Sequence, residues 1–144
     1  MTPTRELVFS FPATTDSISE ARHLVMSEAE TLPFTAHELD DINLAVSEVF
    51  TNLVQHASGY RIRGVCIAHP RALEICFDVD AALAGHLDKT SLPAITAFSG
   101  RGIPLLHMLM PTVEIIRHED GSSRLRLVKP VAGEDARDET HPGG

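Results

Sequence analysis

Apolar positions change their spacing several times along the chain, and each change marks an element. Leu7, Phe9 and Phe11 alternate with Glu6, Val8 and Ser10, a mixed period of two that predicts a first strand stopped by Pro12. Ser17 and Glu20 have the spacing of a capping box, and Ile18, Ala21, Leu24, Val25 and Ala29 continue as a helical stripe to about Glu30. Leu32-Pro33-Phe34 breaks that helix. Thr35 and Glu38 repeat the capping spacing, and Leu39, Ile42, Val46, Val49, Leu53 and Ala57 hold a three-four period for about five turns.

Ser58-Gly59 ends this second helix. Ile62 to Ala68 predicts a strand and His69-Pro70 a turn. Leu73, Ile75, Phe77 and Val79 then alternate with Glu74, Cys76, Asp78 and Asp80, as in a half-buried strand. Ala81 to Ser99 has no strong period and is expected to form a long mobile loop. Gly100-Arg101-Gly102 leads into a short helix from Ile103 to about Met110, with Pro104 in its first turn and Pro111 closing it. Val113 to His118 and Arg124 to Val128 flank Glu119-Asp120-Gly121-Ser122 as a hairpin. From Ala132 the composition turns to Gly, Pro and charge, so one domain is expected over 1–131 and a disordered tail over 132–144.

The order β-α-α-β-β-loop-α-β-β, with mostly hairpin connections, predicts an α+β two-layer sandwich. Its sheet should be mixed but mostly antiparallel, of about five strands, with three helices on one face. A length of 144 residues leaves room for a single domain. No apolar run approaches the roughly 20 residues that span a bilayer, and MTPTRELVFSF lacks the layout of a signal peptide. No membrane association and a cytoplasmic location are therefore expected. The formal charge of −8 has the wrong sign for wrapping nucleic acid. Two cysteines, Cys66 and Cys76, are too few for a disulfide scaffold and read as core thiols on neighbouring strands. The histidines show no HxxxH or HExxH spacing, which gives no zinc signature, and no GxSxG elbow is present.

Two local patterns carry chemistry. Glu48, Asn52 and His56 fall at successive i, i+4 steps and form a polar seam beside the buried stripe. A carboxamide oxygen suits Mg²⁺, a hard cation, while a carboxylate one turn away can orient or deprotonate an attacking hydroxyl. The same spacing also arises on any solvated helix face. His56 reads as a helix-end residue rather than a catalyst. Gly100-Arg101-Gly102 opening a helix is the second pattern. Its amides and the helix start favour phosphate, and Arg101 can pair with a phosphate oxygen. The plain alternative is a loop-to-helix junction, since the P-loop ending is missing.

Taken in order along the chain, these patterns resemble the GHKL (Bergerat-fold) ATPases, and more narrowly the bacterial anti-sigma-factor and switch-protein serine kinases. The stretch Leu44-Ala-Val-Ser-Glu48-Val-Phe-Thr-Asn52-Leu-Val-Gln-His56-Ala57 resembles that family's N-box. Ser99-Gly-Arg-Gly-Ile-Pro-Leu-Leu106 resembles its second glycine box, and Gly121-Ser-Ser-Arg-Leu-Arg-Leu-Val128 its closing strand. The likeness covers about residues 5 to 130. It implies Glu48 as catalytic base, Asn52 as Mg²⁺ ligand, and Gly100, Arg101, Gly102 and Ser123 as nucleotide-binding residues. Arg22 matches a first-helix arginine that in this family faces the protein substrate, and its plain alternative is a solvated helix arginine. The family's Asp-x-Gly-x-Gly box, whose aspartate binds the adenine amino group, has no clear counterpart. Aligning Leu73 to Phe77 with the usual strand puts Val79 at the aspartate position, and a one-residue slip supplies Asp78 or Asp80.

The resemblance implies a cytoplasmic protein serine/threonine kinase that uses Mg-ATP to phosphorylate a STAS-domain antagonist. The same protein would alternately bind a sigma factor or another regulatory target, usually as a homodimer. The rival is a partner-switching binding module that keeps the fold without useful nucleotide binding. A histidine-kinase ATP-binding half would need a phosphoacceptor region for which the chain has no length.

Overall fold

Thr35 and Glu38 close their capping box: Thr35 N–H donates to Glu38 Oε1 at 2.8 Å, and Glu38 N–H to Thr35 Oγ1 at 3.1 Å. They start α2 (Ala36–His56), the long helix that the apolar period predicts. A computed structural model of the chain describes residues 4–89, 106 and 108–132. Around α2 it arranges β1 (Arg5–Pro12), α1 (Thr15–Ala29), β2 (Arg61–His69), β3 (Ala72–Val79), α3 (Ala81–Lys89), β4 (Thr112–Arg117) and β5 (Ser123–Pro130). The strands form a five-stranded sheet in the order β1-β2-β3-β5-β4. Every pairing is antiparallel, which narrows the mixed, mostly antiparallel sheet predicted to a purely antiparallel one. No described helix is long and apolar enough to cross a membrane.

Strand alternation sorts the side chains into two faces. Phe9, Ile62, Cys66, Ile75, Phe77, Val79, Leu125 and Leu127 join one buried cluster with Ile42, Val46, Val49, Phe50 and Leu53 of α2 and Ala21, Val25 and Ala29 of α1. Phe50 and Phe77 meet edge to face at 5.2 Å between ring centroids, and Phe9 lies 5.9 Å from Phe50. The opposite face carries charge. Glu74 binds His69 at 2.8 Å and Arg126 at 2.7 Å, and Arg126 also pairs with Glu114.

Two expectations are corrected, and the reading of the two cysteines as core thiols on neighbouring strands holds. The first helix begins at Thr15 with Thr14 as its N-cap, and the Ser17–Glu20 box does not form. Ser17 lies buried inside the first turn, where its N–H donates to Thr14 O at 3.0 Å. The loop expected from Ala81 begins as a helix, α3, because Asp80 Oδ1 accepts the Leu83 N–H at 2.8 Å and Leu83 and Ala84 are buried. One short apolar contact is too little for a period to show. Cys66 and Cys76 sit on adjacent strands but point to opposite faces, since Cys66 pairs with Ile75 rather than Cys76. Burial pushes the Cys66 thiol up to about 12 and the Cys76 thiol up to about 11. Of the short helix expected over 103–110, residues 106, 108 and 109 are described and helical, and Met110 N–H donates to Leu106 O at 2.7 Å. The tail expected over 132–144 lies outside the described residues beyond 132.

Candidate functional site

The buried stripe of α2 fixes the helix on the sheet, and one turn of its polar margin brings Glu48 and Asn52 together. Asn52 Nδ2 donates to Glu48 Oε2 at 2.9 Å. Asn52 is 8% exposed, while Glu48 is half-buried. The bond commits the amide nitrogen and turns the pair into a fixed unit. Among the described residues no donor is bonded to the carboxamide oxygen, and Glu48 keeps its second carboxylate oxygen free of hydrogen bonds. One hard oxygen and one carboxylate oxygen one helical turn apart fit a Mg²⁺-nucleotide site with an adjacent base. His56 lies at the helix end, half-buried, and takes no part in this pair.

Ser123 opens β5 and is 4% exposed. It stands opposite Val79 in the β3–β5 ladder, and both face the helix side of the sheet. Asp78 and Asp80 are placed differently. Asp78 projects from the charged face and is held by Arg124, with Nε–Oδ1 at 2.7 Å and Nη2–Oδ2 at 3.3 Å. The hydrogen bond to Asp78 raises the Arg124 guanidinium above its ordinary range. Asp80 caps α3 with one oxygen and stands 4.0 Å from Arg63 with the other. A cleft of about 330 Å³ opens at this end of the sheet where Arg61, Arg63, Asp78, Asp80 and Ser123 meet. The structure therefore brings Glu48 to Asn52 and Ser123 to Val79, and leaves both aspartates engaged elsewhere.

Arg22 lies on the outer side of the helix layer, in a groove of about 380 Å³ with Met26, Glu30 and Asn43. It is half-buried and, among the described residues, forms no ion pair. Gly100, Arg101 and Gly102 lie outside the described residues. No group of three metal-binding His, Cys, Asp or Glu side chains occurs among the described residues. Sequence reasoning missed Arg124 and Arg126 as the partners that occupy the acidic outer positions of β3. Their alternation with Leu125 and Leu127 was the available signal, but only the strand register tells which acid each one meets.

The histidine kinase-like ATPase domain matches residues 11–129 of this sequence. The chain belongs to that family. The histidine kinase-like ATPase domain thus spans every described element except the first six residues of β1 and the last residue of β5. The chain is similar to an anti-sigma F factor of Clostridium acetobutylicum, 26% identical over 137 residues that cover 88% of this chain and 94% of the relative. Its fold is that of a chain in the crystal structure of the SiaB–SiaC complex from Pseudomonas aeruginosa. That likeness has a TM-score of 0.53 and 14% identity, and covers 85% of this chain and 88% of the other. The α+β sandwich and the GHKL resemblance drawn from the residues are thereby established. The Glu48–Asn52 pair lies within the residues matched by that domain.

Proposed function

We propose that this chain is an anti-sigma-type protein serine/threonine kinase. It would use Mg-ATP to phosphorylate a STAS-domain antagonist and would bind a sigma factor or another regulatory target when that antagonist is phosphorylated. The observation that carries the reading is the hydrogen bond from Asn52 to Glu48, which fixes a hard oxygen donor beside a carboxylate inside a histidine kinase-like ATPase domain. The likeness to an anti-sigma F factor over nearly its whole length supports the partner-switching part.

In this reading the Asn52 carboxamide oxygen would hold Mg²⁺, which when bound neutralises charge on the nucleotide phosphates. Glu48 accepts the proton of the incoming serine or threonine hydroxyl at its free carboxylate oxygen. Asn52 Nδ2 keeps that carboxylate aimed. Gly100, Arg101 and Gly102 would contact the phosphates, and Ser123 the base. Arg22, in its groove on the helix layer, would meet the protein partner, and the family's habit supports a homodimer.

A second reading has a specific observation in its favour. The position opposite Ser123 on the helix side is Val79, which offers no hydrogen-bond partner to an adenine amino group, and Asp78 and Asp80 are already bonded. A binding module that keeps the fold and grips proteins without nucleotide would tolerate this arrangement. Calorimetric titration with Mg-ATP separates the two. Micromolar binding that weakens without magnesium or in Asn52→Ala supports the kinase, and no binding at millimolar nucleotide leaves the module.

A further inference from the structure

Lys129 is 8% exposed, although a lysine ammonium is seldom taken out of water unless it is paired. It lies on the helix side of β5, in line with Leu125 and Leu127. Its Nζ donates to the Leu109 carbonyl at 2.8 Å and stands 3.5 Å from Asp41 Oδ2 on α2. Leu109 belongs to the last helical turn before Pro111, and carbonyls at a helix end have no donor within the helix. Lys129 supplies that donor from another element. Asp41, also 3.7 Å from His37, stands seven residues before Glu48, two turns away on the same side of α2. One ammonium thus joins the closing strand, the turn around Leu106 and Met110, and the helix that carries Glu48 and Asn52.

We infer that Lys129 is a positioning residue for the nucleotide site, fixing the turn at 106–110 to α2 so that affinity for Mg-ATP depends on this attachment. The inference rests on the kinase-type reading above. Leu106 and Met110 are fully buried, so apolar packing alone would keep the turn near the core. Packing is non-directional, however, whereas the bond to the Leu109 carbonyl and the contact to Asp41 set one register of the turn along α2.

The test compares wild type, Lys129→Met and Asp41→Asn by amide hydrogen exchange and by calorimetry with Mg-ATP. Lys129→Met keeps the length and apolar stem of the side chain, and Asp41 is solvent-accessible enough to lose its partner without unfolding the domain. The expected result is that the Met110 amide exchanges on the order of tenfold faster in Lys129→Met, while amides of β3 and β5 keep their protection. Mg-ATP affinity falls several-fold at a temperature where the fold is intact, with a smaller change of the same sign in Asp41→Asn. If Lys129→Met does not fold, Asp41→Asn alone decides by the same two readouts. Faster exchange at Met110 with unchanged Mg-ATP affinity would show a merely structural bond and overturn the inference, as would unchanged exchange. Absence of Mg-ATP binding by wild type overturns the kinase-type reading itself, whereas binding that the variants leave untouched overturns this inference alone.

Discussion

Asp78 and Arg124 face each other across the β3–β5 ladder and are joined through both carboxylate oxygens. The pair lies on the charged face of the sheet, away from α2, so Asp78 is directed away from Glu48 and Asn52. The helix-side position at this level belongs to Val79, beside Ser123. Asp78→Asn should therefore leave Mg-ATP affinity within about twofold of wild type, less than 0.5 kcal/mol. Its cost should appear in stability as the fraction of a kcal/mol usual for a half-exposed pair. A large loss of nucleotide affinity in this variant, measured by calorimetry, would return Asp78 to the binding site.

Glu48→Gln keeps the size of the side chain and an oxygen that can accept the Asn52 amide, and removes the base. Phosphotransfer to a protein acceptor should fall by about 10²-fold or more, the usual contribution of a positioned general base. Binding of Mg-ATP should stay close to wild type because Asn52 is left in place. Parallel loss of nucleotide binding would identify Glu48 as a residue that holds the metal or the helix rather than the proton.

How much of this was legible in the sequence follows from the range of each interaction. The Thr35–Glu38 capping box and the α2 stripe depend on residues three and four apart, and both appear as read. The strand alternation of Leu73 to Asp80 gave the two faces of β3 correctly, and with them the placement of Val79 and Asp78 on opposite sides. What could not be read is which strand lies beside which. Strand β5 enters between β3 and β4, and that register alone sets Arg124 against Asp78, Arg126 beside Glu74 and Ser123 opposite Val79. The same holds for Lys129, whose burial needs a helix and a turn that are distant in sequence. The α3 helix escaped notice because it rests on a single capping side chain and two buried residues.

Gly64 marks the tightest place in the core. A Cβ there would stand 1.9 Å from the Cys76 carbonyl oxygen and 2.5 Å from Phe9 Cζ. Phe9 cannot retreat freely, since it packs against Phe50 and Phe77. The glycine is required by this close approach of ring and backbone, not by an unusual backbone angle. Gly64→Ala should destabilise the fold by about 3 kcal/mol, at the upper end for overpacking a core. Urea unfolding followed by circular dichroism gives the number, and a change below about 0.5 kcal/mol would mean that β2 and β3 separate more easily than their ladder suggests.

Glu74 couples the charged face to pH. Burial alone would raise its carboxyl, but hydrogen bonds from His69 and Arg126 and their charges outweigh burial and hold it below the usual carboxylate range. A carboxyl with a depressed folded pKa binds fewer protons in the folded than in the unfolded state. Its contribution is therefore complete above the ordinary glutamate value near 4.5 and is lost as pH falls through the lower folded value. Glu74→Gln should cost stability at neutral pH, by about 1 kcal/mol or less for a pair on a solvated face. The gap between variant and wild type should close in acid, below the range where ordinary glutamates titrate. Denaturant midpoints measured from pH 7 down to about 3 check the sign. A gap that stays constant over that range would show that Glu74 acts through its shape against Cys76 and Arg126 rather than through its charge.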